Sequence, residues 1–225
     1  MRKMLHISDL HIHKDNSHPD NVNTRRLFEH IVKALPDNKV VLITGDITDD
    51  GQPEQYYNAY QLIKILDNMK VLIVPGNHDY GPTGNVFSKK SKQLFKTTFY
   101  KGKYPRVDVV NDIVFIGLDS NGKGNTFATG NIGIRQRSKL KKLIKQYEGY
   151  EIVVYLHHHP FYRNPFQELH DADKLMKILS GKISCLCFGH KHKQELWKDK
   201  FNISYVQAEG KSPDEFVKHG IIVVD

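Results

Sequence analysis

Short apolar runs alternate with longer amphipathic stretches along this chain. Residues 4–7, 40–44, 71–74, 152–156 and 183–188 are brief and nearly all apolar, the pattern of buried strands. Between them, residues 23–35 place Leu27, Phe28, Ile31, Val32 and Leu35 at helical spacing, and residues 53–68, 86–100 and 135–147 predict three further helices. Residues 107–116 predict a hairpin turning at Asn111-Asp112, and the stretch 195–224 is β-rich. Such strand–helix alternation predicts an α/β layered fold with helices outside. The hairpin and the β-rich end add antiparallel strands, so a mixed sheet or two packed sheets are expected. No internal repeat is visible. Residues 117–133 are rich in glycine, asparagine and serine and predict a long loop; long loops in compact domains often carry function.

Composition narrows the picture. Hydrophobic residues are 39% and charged residues 26% of 225 positions, which fits one packed domain, residues 1–225, and excludes a disordered chain. No run of about 18 apolar residues is present to span a membrane. The chain reaches His6 and Asp9 too early for the apolar core of a signal peptide. Cys185 and Cys187 fall inside one apolar run. Side-chain alternation along a strand argues against a disulfide between them, and two buried thiols fit a reducing, cytoplasmic setting. The formal net charge of +8 favours anionic partners, nucleic acid among them, although the basic residues are spread out rather than clustered.

Five polar clusters each follow an apolar run. They are Asp9-Leu10-His11, Gly45-Asp46-Ile47-Thr48-Asp49, Gly76-Asn77-His78-Asp79, His157-His158-His159-Pro160 and Gly189-His190-Lys191-His192. In open α/β sheets ligands bind beyond the carboxyl ends of the strands, so five clusters at five such ends can converge. Aspartate, asparagine and histidine are ligands for first-row divalent metals. Asp9, His11, Asp46, Asn77, one histidine of the triplet, His190 and His192 are too many ligands for one ion and about right for two that share a bridging carboxylate. No thiolate is placed to help, which argues against a cysteine-type structural zinc site. Asp9-X-His11 or His190-X-His192 alone reads as an ordinary loop. Gly-Asn-His-Asp is rarer, at roughly one chain of this length per thousand by average residue usage. The whole set, in order and each time after a strand, carries the reading.

The series Asp-X-His, Gly-Asp-X-X-Asp, Gly-Asn-His-Asp, His-His-Pro and Gly-His-X-His resembles the calcineurin-like metallophosphoesterase superfamily, and within it the small class III cyclic-nucleotide phosphodiesterase-like group. The motifs run from Asp9 to His192, and Asp119-Ser120 and residues 133–143 with Gln136 and Leu140 are similar to that group too. The resemblance implies a four-layer αββα sandwich of two mixed β-sheets flanked by helices, with a dimetal site at the carboxyl ends of the strands. It implies that Asp9, His11 and His192 hold one divalent ion (Mn, Fe, Zn or Co), that Asn77, His158 and His190 hold the other, and that Asp46 bridges both. The family usually shows two histidines before the proline, and this chain has three. Alignment on Pro160 selects His158 and counting from the strand end selects His157; His158 is the expectation.

By the same resemblance, a hydroxide held between the metals attacks phosphorus directly. His78, next to Asn77, donates a proton to the leaving alkoxide or stabilises its charge. A carboxylate would orient it, Asp49 by family pattern with Asp79 as second choice. Asn77, His78 and His192 would contact the phosphate. Of the other histidines, His6, His13, His18, His159 and His170 are expected at the surface or in support, with His13 near enough to His11 in sequence to reach substrate. The implied activity is hydrolysis of phosphodiesters, cyclic nucleotides included, or of phosphomonoesters. A metal-dependent nuclease is the alternative: the positive charge favours it slightly, and the short stretch after His192 opposes it. A protein phosphatase usually shows arginine where this chain has Asp50. A non-catalytic scaffold is the third reading, and the presence of every expected ligand type counts against it.

Overall fold

The computed structural model describes residues 2–34, 40–82, 86–122, 127–210 and 221–224. The chain runs β1 (Arg2–Ile7), α1 (Pro19–Ala34), β2 (Val40–Ile43), α2 (Pro53–Ile63), β3 (Lys70–Ile73), α3 (Lys89–Thr98), β4 (Arg106–Val110), β5 (Ile113–Gly117), α4 (Gly133–Gln146), β6 (Glu151–Tyr155), α5 (Ala172–Leu179), β7 (Cys185–Phe188), β8 (Glu195–Lys200), β9 (Ile203–Ala208) and β10 (Ile221–Val224). One sheet has the order β10-β1-β2-β3, and the other β4-β5-β6-β7-β9-β8. In the first, β1, β2 and β3 are parallel and β10 is antiparallel. In the second, β5, β6, β7 and β9 are parallel between antiparallel β4 and β8.

Side-chain alternation along the central strands builds the layers. Leu5, Ile7, Val41, Ile43 and Ile73 face one way, into a core with Leu27, Phe28 and Ile31 of α1, Tyr56 and Leu62 of α2 and Phe95 of α3. Met4, Val40, Leu42 and Leu72 face the other way, against Ile113, Phe115, Val153 and Tyr155 of the second sheet. Beyond that sheet, Val114, Ile116, Ile152, Val154 and Leu186 meet Leu140 and Ile144 of α4 and Leu175 and Leu179 of α5. Strands covered on both faces need apolar side chains at every position, so their sequences read as continuous runs. Each fully buried aliphatic side chain there contributes about 1.5–3 kcal/mol. The result is the expected αββα sandwich of two mixed sheets.

Element ends shift for local reasons. α1 opens at Pro19, suited to the first helical position; Leu35, expected in it, lies outside the described residues. α2 ends at Ile63 and tightens into a 3-10 turn over Lys64–Leu66. α3 begins only after Ser88, whose Oγ accepts the Ser91 N–H at 3.1 Å as an N-cap. The hairpin turns where expected, with Asn111 and Asp112 both left-handed at φ 50° and 65°. α5 was not among the expected elements, although Ala172, Leu175, Met176 and Leu179 sit at helical spacing and are buried. Cys185 and Cys187 are free, but not because they point apart. Two residues apart on β7 they share the inter-sheet face, with Sγ atoms 3.6 Å from each other.

Candidate metal centre

The loops after β1, β2, β3, β6 and β7 meet at one edge. Five residues in them hold left-handed backbone without being glycine: Asp9 (φ 56°), His11 (46°), Asp46 (48°), His190 (79°) and His192 (51°). That conformation is uncommon for such residues and clusters at functional sites, where the surroundings must impose it. Here the surroundings are explicit. Asp9 N–H donates to the Gly45 carbonyl at 3.1 Å and His11 N–H to the Asp46 carbonyl at 3.0 Å. The buried Asp79 carboxylate accepts from the backbone N–H groups of Ile47, Thr48 and Gly76 and from the Thr48 hydroxyl, all within 3.0 Å. It thereby ties the β2 loop to the β3 loop. Gly76 is required because a Cβ there would strike the Asp46 carboxylate.

Among the groups of donor atoms that result, two share Asp46. Asp9, His11, Asp46 and His192 form one, and Asp46, His157 and His190 the other, each with its ligand atoms within 4.8 Å of one another. In the first, His11 Nε2 is 3.3 Å from His192 Nε2 and 3.9 Å from Asp46 Oδ2, and His192 Nε2 is 3.3 Å from Asp9 Oδ1. In the second, His157 Nε2 is 3.0 Å from Asn77 Oδ1, 3.2 Å from Asp46 Oδ2 and 3.1 Å from His190 Nδ1.

The outward ring nitrogens fix what the inward ones present. His157 Nδ1–H donates to the Thr44 carbonyl at 2.8 Å, His190 Nε2–H to the Gln167 carbonyl at 3.0 Å, and His11 Nδ1–H to Asp49 Oδ1 at 3.3 Å. With those outward nitrogens carrying N–H, His157 Nε2 and His190 Nδ1 face each other across 3.1 Å beside the Asp46 carboxylate, close enough to share one proton. Burial works to lower the His157 pKa, but the Asp46 carboxylate outweighs it and pushes it up to about 9. His190, buried beside His157, is pushed down to about 3. Two inward nitrogens beside a shared carboxylate, each ring anchored from behind, suit a divalent cation, which would take the place of the proton on His157 Nε2.

Three expectations need correction. The ring that faces Asn77, Asp46 and His190 is His157, not His158. His158 turns to Ser120, its Nδ1 2.8 Å from the Ser120 Oγ, and its Nε2 is buried with no hydrogen-bond partner. The strand-end count was therefore the better guide to the side that faces inward. Second, the His78 ring is held by a backbone carbonyl, with the nearby Asp49 carboxylate turned to His11. His78 Nδ1–H donates to the Asp49 backbone carbonyl at 2.6 Å. Third, Asp79 braces the loops and does not touch His78 through its side chain. The His78 backbone N–H donates to Asp46 Oδ1 at 2.9 Å.

Of the remaining histidines, His159 packs on Phe161 and Phe188, and burial lowers its pKa to about 4. Lys191 points to Gln167 Oε1 at 2.9 Å and over the Tyr162 ring, and Arg163 pairs with Asp173. Thr44 and Gln167 went unrecognised in the sequence as supports of the site, while Ser120 stood out only as part of Asp119-Ser120. Thr44 and Gln167 act through backbone carbonyls, which leave no mark on residue type.

A two-sheet αββα sandwich with carboxylate and imidazole donors gathered at the carboxyl edge of its strands defines a metal-dependent phosphoesterase class. The chain belongs to the calcineurin-like phosphoesterase family, which it matches over residues 2–194, and is accordingly a hydrolase. A probable cyclic nucleotide phosphodiesterase of Vesicomyosocius okutanii is 30% identical over 203 residues, which cover 87% of this chain and 80% of that one. The 3',5'-cyclic adenosine monophosphate phosphodiesterase CpdA of Haemophilus influenzae is 28% identical, covering 85% of this chain and 70% of its own. A dimetal phosphatase from Danio rerio superposes with a TM-score of 0.74 over 94% of this chain and 89% of that one at 14% identity, which establishes the shared fold. Among the described residues no helix is long and apolar enough to cross a membrane.

Proposed function

We propose that this chain hydrolyses phosphate esters at a centre of two divalent ions, with phosphodiesters, cyclic nucleotides among them, as the preferred substrates. The observation that carries the reading is the pair of anchored imidazoles, His157 and His190, whose inward nitrogens face each other beside Asp46. Asp9, His11 and His192 would hold one ion, Asn77, His157 and His190 the other, with Asp46 shared. Two such ions supply a clamp for the attacking and leaving oxygens of an in-line displacement, and Mn, Fe, Zn or Co suit these donors. His78, fixed at Nδ1 by the Asp49 carbonyl, keeps Nε2 for the leaving oxygen. Asn77 and His192 line the same space. The relatives' names support the diester preference. Candidate ligands drawn from Asp9 to His192 across both sheets support one functional unit over residues 1–225, and two free buried thiols support a reducing compartment such as the cytoplasm.

The test is turnover by the purified protein with added Mn²⁺ on a bis-aryl phosphate diester, an aryl phosphate monoester, 2′,3′- and 3′,5′-cyclic AMP and single-stranded DNA. Metal-dependent turnover of the small diesters, abolished by chelator and faster than that of the monoester, is expected. Cleavage of DNA alone would replace the proposal with the nuclease.

A further inference from the structure

A second group of metal-type donors lies beside the centre. His13, His18 and Asp20 come together where α1 begins, with one candidate ligand atom from each within 4.8 Å of the others. His13 Nε2 is 3.4 Å and His18 Nδ1 3.5 Å from the same Asp20 Oδ2. Donors held tetrahedrally at about 2.0–2.1 Å from one ion stand roughly 3.4 Å apart, so the two separations from Asp20 match a single coordination shell, while the two rings lie 3.5 Å apart between centroids. The Asp20 backbone N–H donates to His18 Nδ1 at 3.3 Å, which marks that nitrogen as the acceptor; an ion would take over its lone pair from this long hydrogen bond.

Support for these donors is built in. Behind His13, Nδ1 lies 3.6 Å from Asp49 Oδ2, the carboxylate-behind-histidine arrangement that orients metal ligands. The loop is pinned as well. His13 N–H donates to Asn21 Oδ1 at 2.8 Å, Asn21 Nδ2 donates back to the His13 carbonyl at 2.9 Å, and Asn58 Nδ2 reaches the His13 and Lys14 carbonyls at 3.0 Å. The side chains are 27%, 38% and 11% exposed for His13, His18 and Asp20, so an ion can enter from solvent. The positive end of α1 opposes a cation here, and the Asp20 carboxylate offsets it.

We propose that His13, His18 and Asp20 form a separate, solvent-accessible site for a borderline divalent ion such as zinc, cobalt or nickel, linked to the phosphoesterase centre through Asp49. Two imidazoles and one carboxylate, with positions left for water, suit these ions. The link is physical, because Asp49 places Oδ2 behind His13 and Oδ1 behind His11.

The experiment is a zinc titration of the full chain, with bound metal counted by mass spectrometry at saturation. His18→Ala and Asp20→Asn should each bind one equivalent less than the unaltered protein. That difference does not depend on how many ions the main centre holds. Asp46→Ala, which disables the main centre, should keep the equivalent that His18→Ala loses. The proposal is overturned if either variant binds as much zinc as the unaltered protein, if either loses more than one equivalent, or if Asp46→Ala binds none.

Discussion

Two ends of the second sheet differ in kind. At the end where β6 and β7 begin, a groove of 940 Å³ runs between α4, α5 and the strand starts, lined by Lys141, Lys142, Lys145, Lys182, Tyr150 and Ile178 among others. At the other end, histidine rings crowd together: His11 lies 4.6 Å from His78 and 5.0 Å from His192, and His157 5.0 Å from His190, between ring centroids. The groove has volume and positive charge but no converging donors. Among the described residues none of its four lysines has an ion-pair partner, and each keeps its rotamer freedom. The metal edge has left-handed backbone, buried carboxylates and rings fixed from both sides. What sets the second end apart is preorganisation, the property that chemistry needs.

The largest effects that test this contrast come from removing shared donors. Asp46→Ala should lose bound metal and with it measurable turnover, read by metal analysis and ester hydrolysis. His157→Ala should behave similarly, while His158→Ala should keep its metal, because that ring faces Ser120. Metal loss in His158→Ala with retention in His157→Ala would reverse the assignment.

Next in size is His78→Ala. It should leave metal content unchanged and lower kcat by about 10²–10⁴-fold, the ordinary contribution of a positioned acid or base. An emptied centre would make His78 a ligand instead, and an unchanged rate would remove it from the mechanism. Smaller again is Asp49→Asn. The carbonyl that holds His78 survives this change, and the carboxylate behind His11 and His13 is neutralised. Metal affinity or activity should fall by about 10–100-fold, as for other supporting partners of metal-bound histidines. A loss as large as that of His78→Ala with full metal retention would restore the carboxylate to a direct part in proton transfer.

These variants separate what was legible in the sequence from what was not. The layers were legible because strands covered on both faces leave no position free to be polar: 40–43 and 185–188 are buried throughout. The candidate ligands were legible because Asp, Asn and His stand where apolar runs stop. The choice between His157 and His158 was not, because strand pairing, not residue type, decides which of two adjacent rings faces inward. The role of Asp49 was half legible. Sequence places an acid near His78, but the donor–acceptor contact runs through its backbone, and a backbone carbonyl looks the same in every residue. The Gln167 carbonyl, which anchors His190, comes from an irregular loop with no periodic signal.

The smallest expected effect lies at the groove. Replacing Lys141, Lys142, Lys145 and Lys182 together by alanine should change turnover of a small diester by no more than about twofold, since surface substitutions away from special features shift energies by about 0.5 kcal/mol. Single-stranded DNA makes the contrast sharper. Should the protein bind it through this groove, affinity would fall in the lysine variant and lose part of its salt dependence, because fewer phosphates would be neutralised. Binding there puts the polyanion at the start of β6 and β7, whereas the metal donors sit past their ends, so retention on the groove should not accelerate cleavage. If the lysine variant instead lost both DNA affinity and small-ester turnover, the two ends of the sheet would have to be treated as one site.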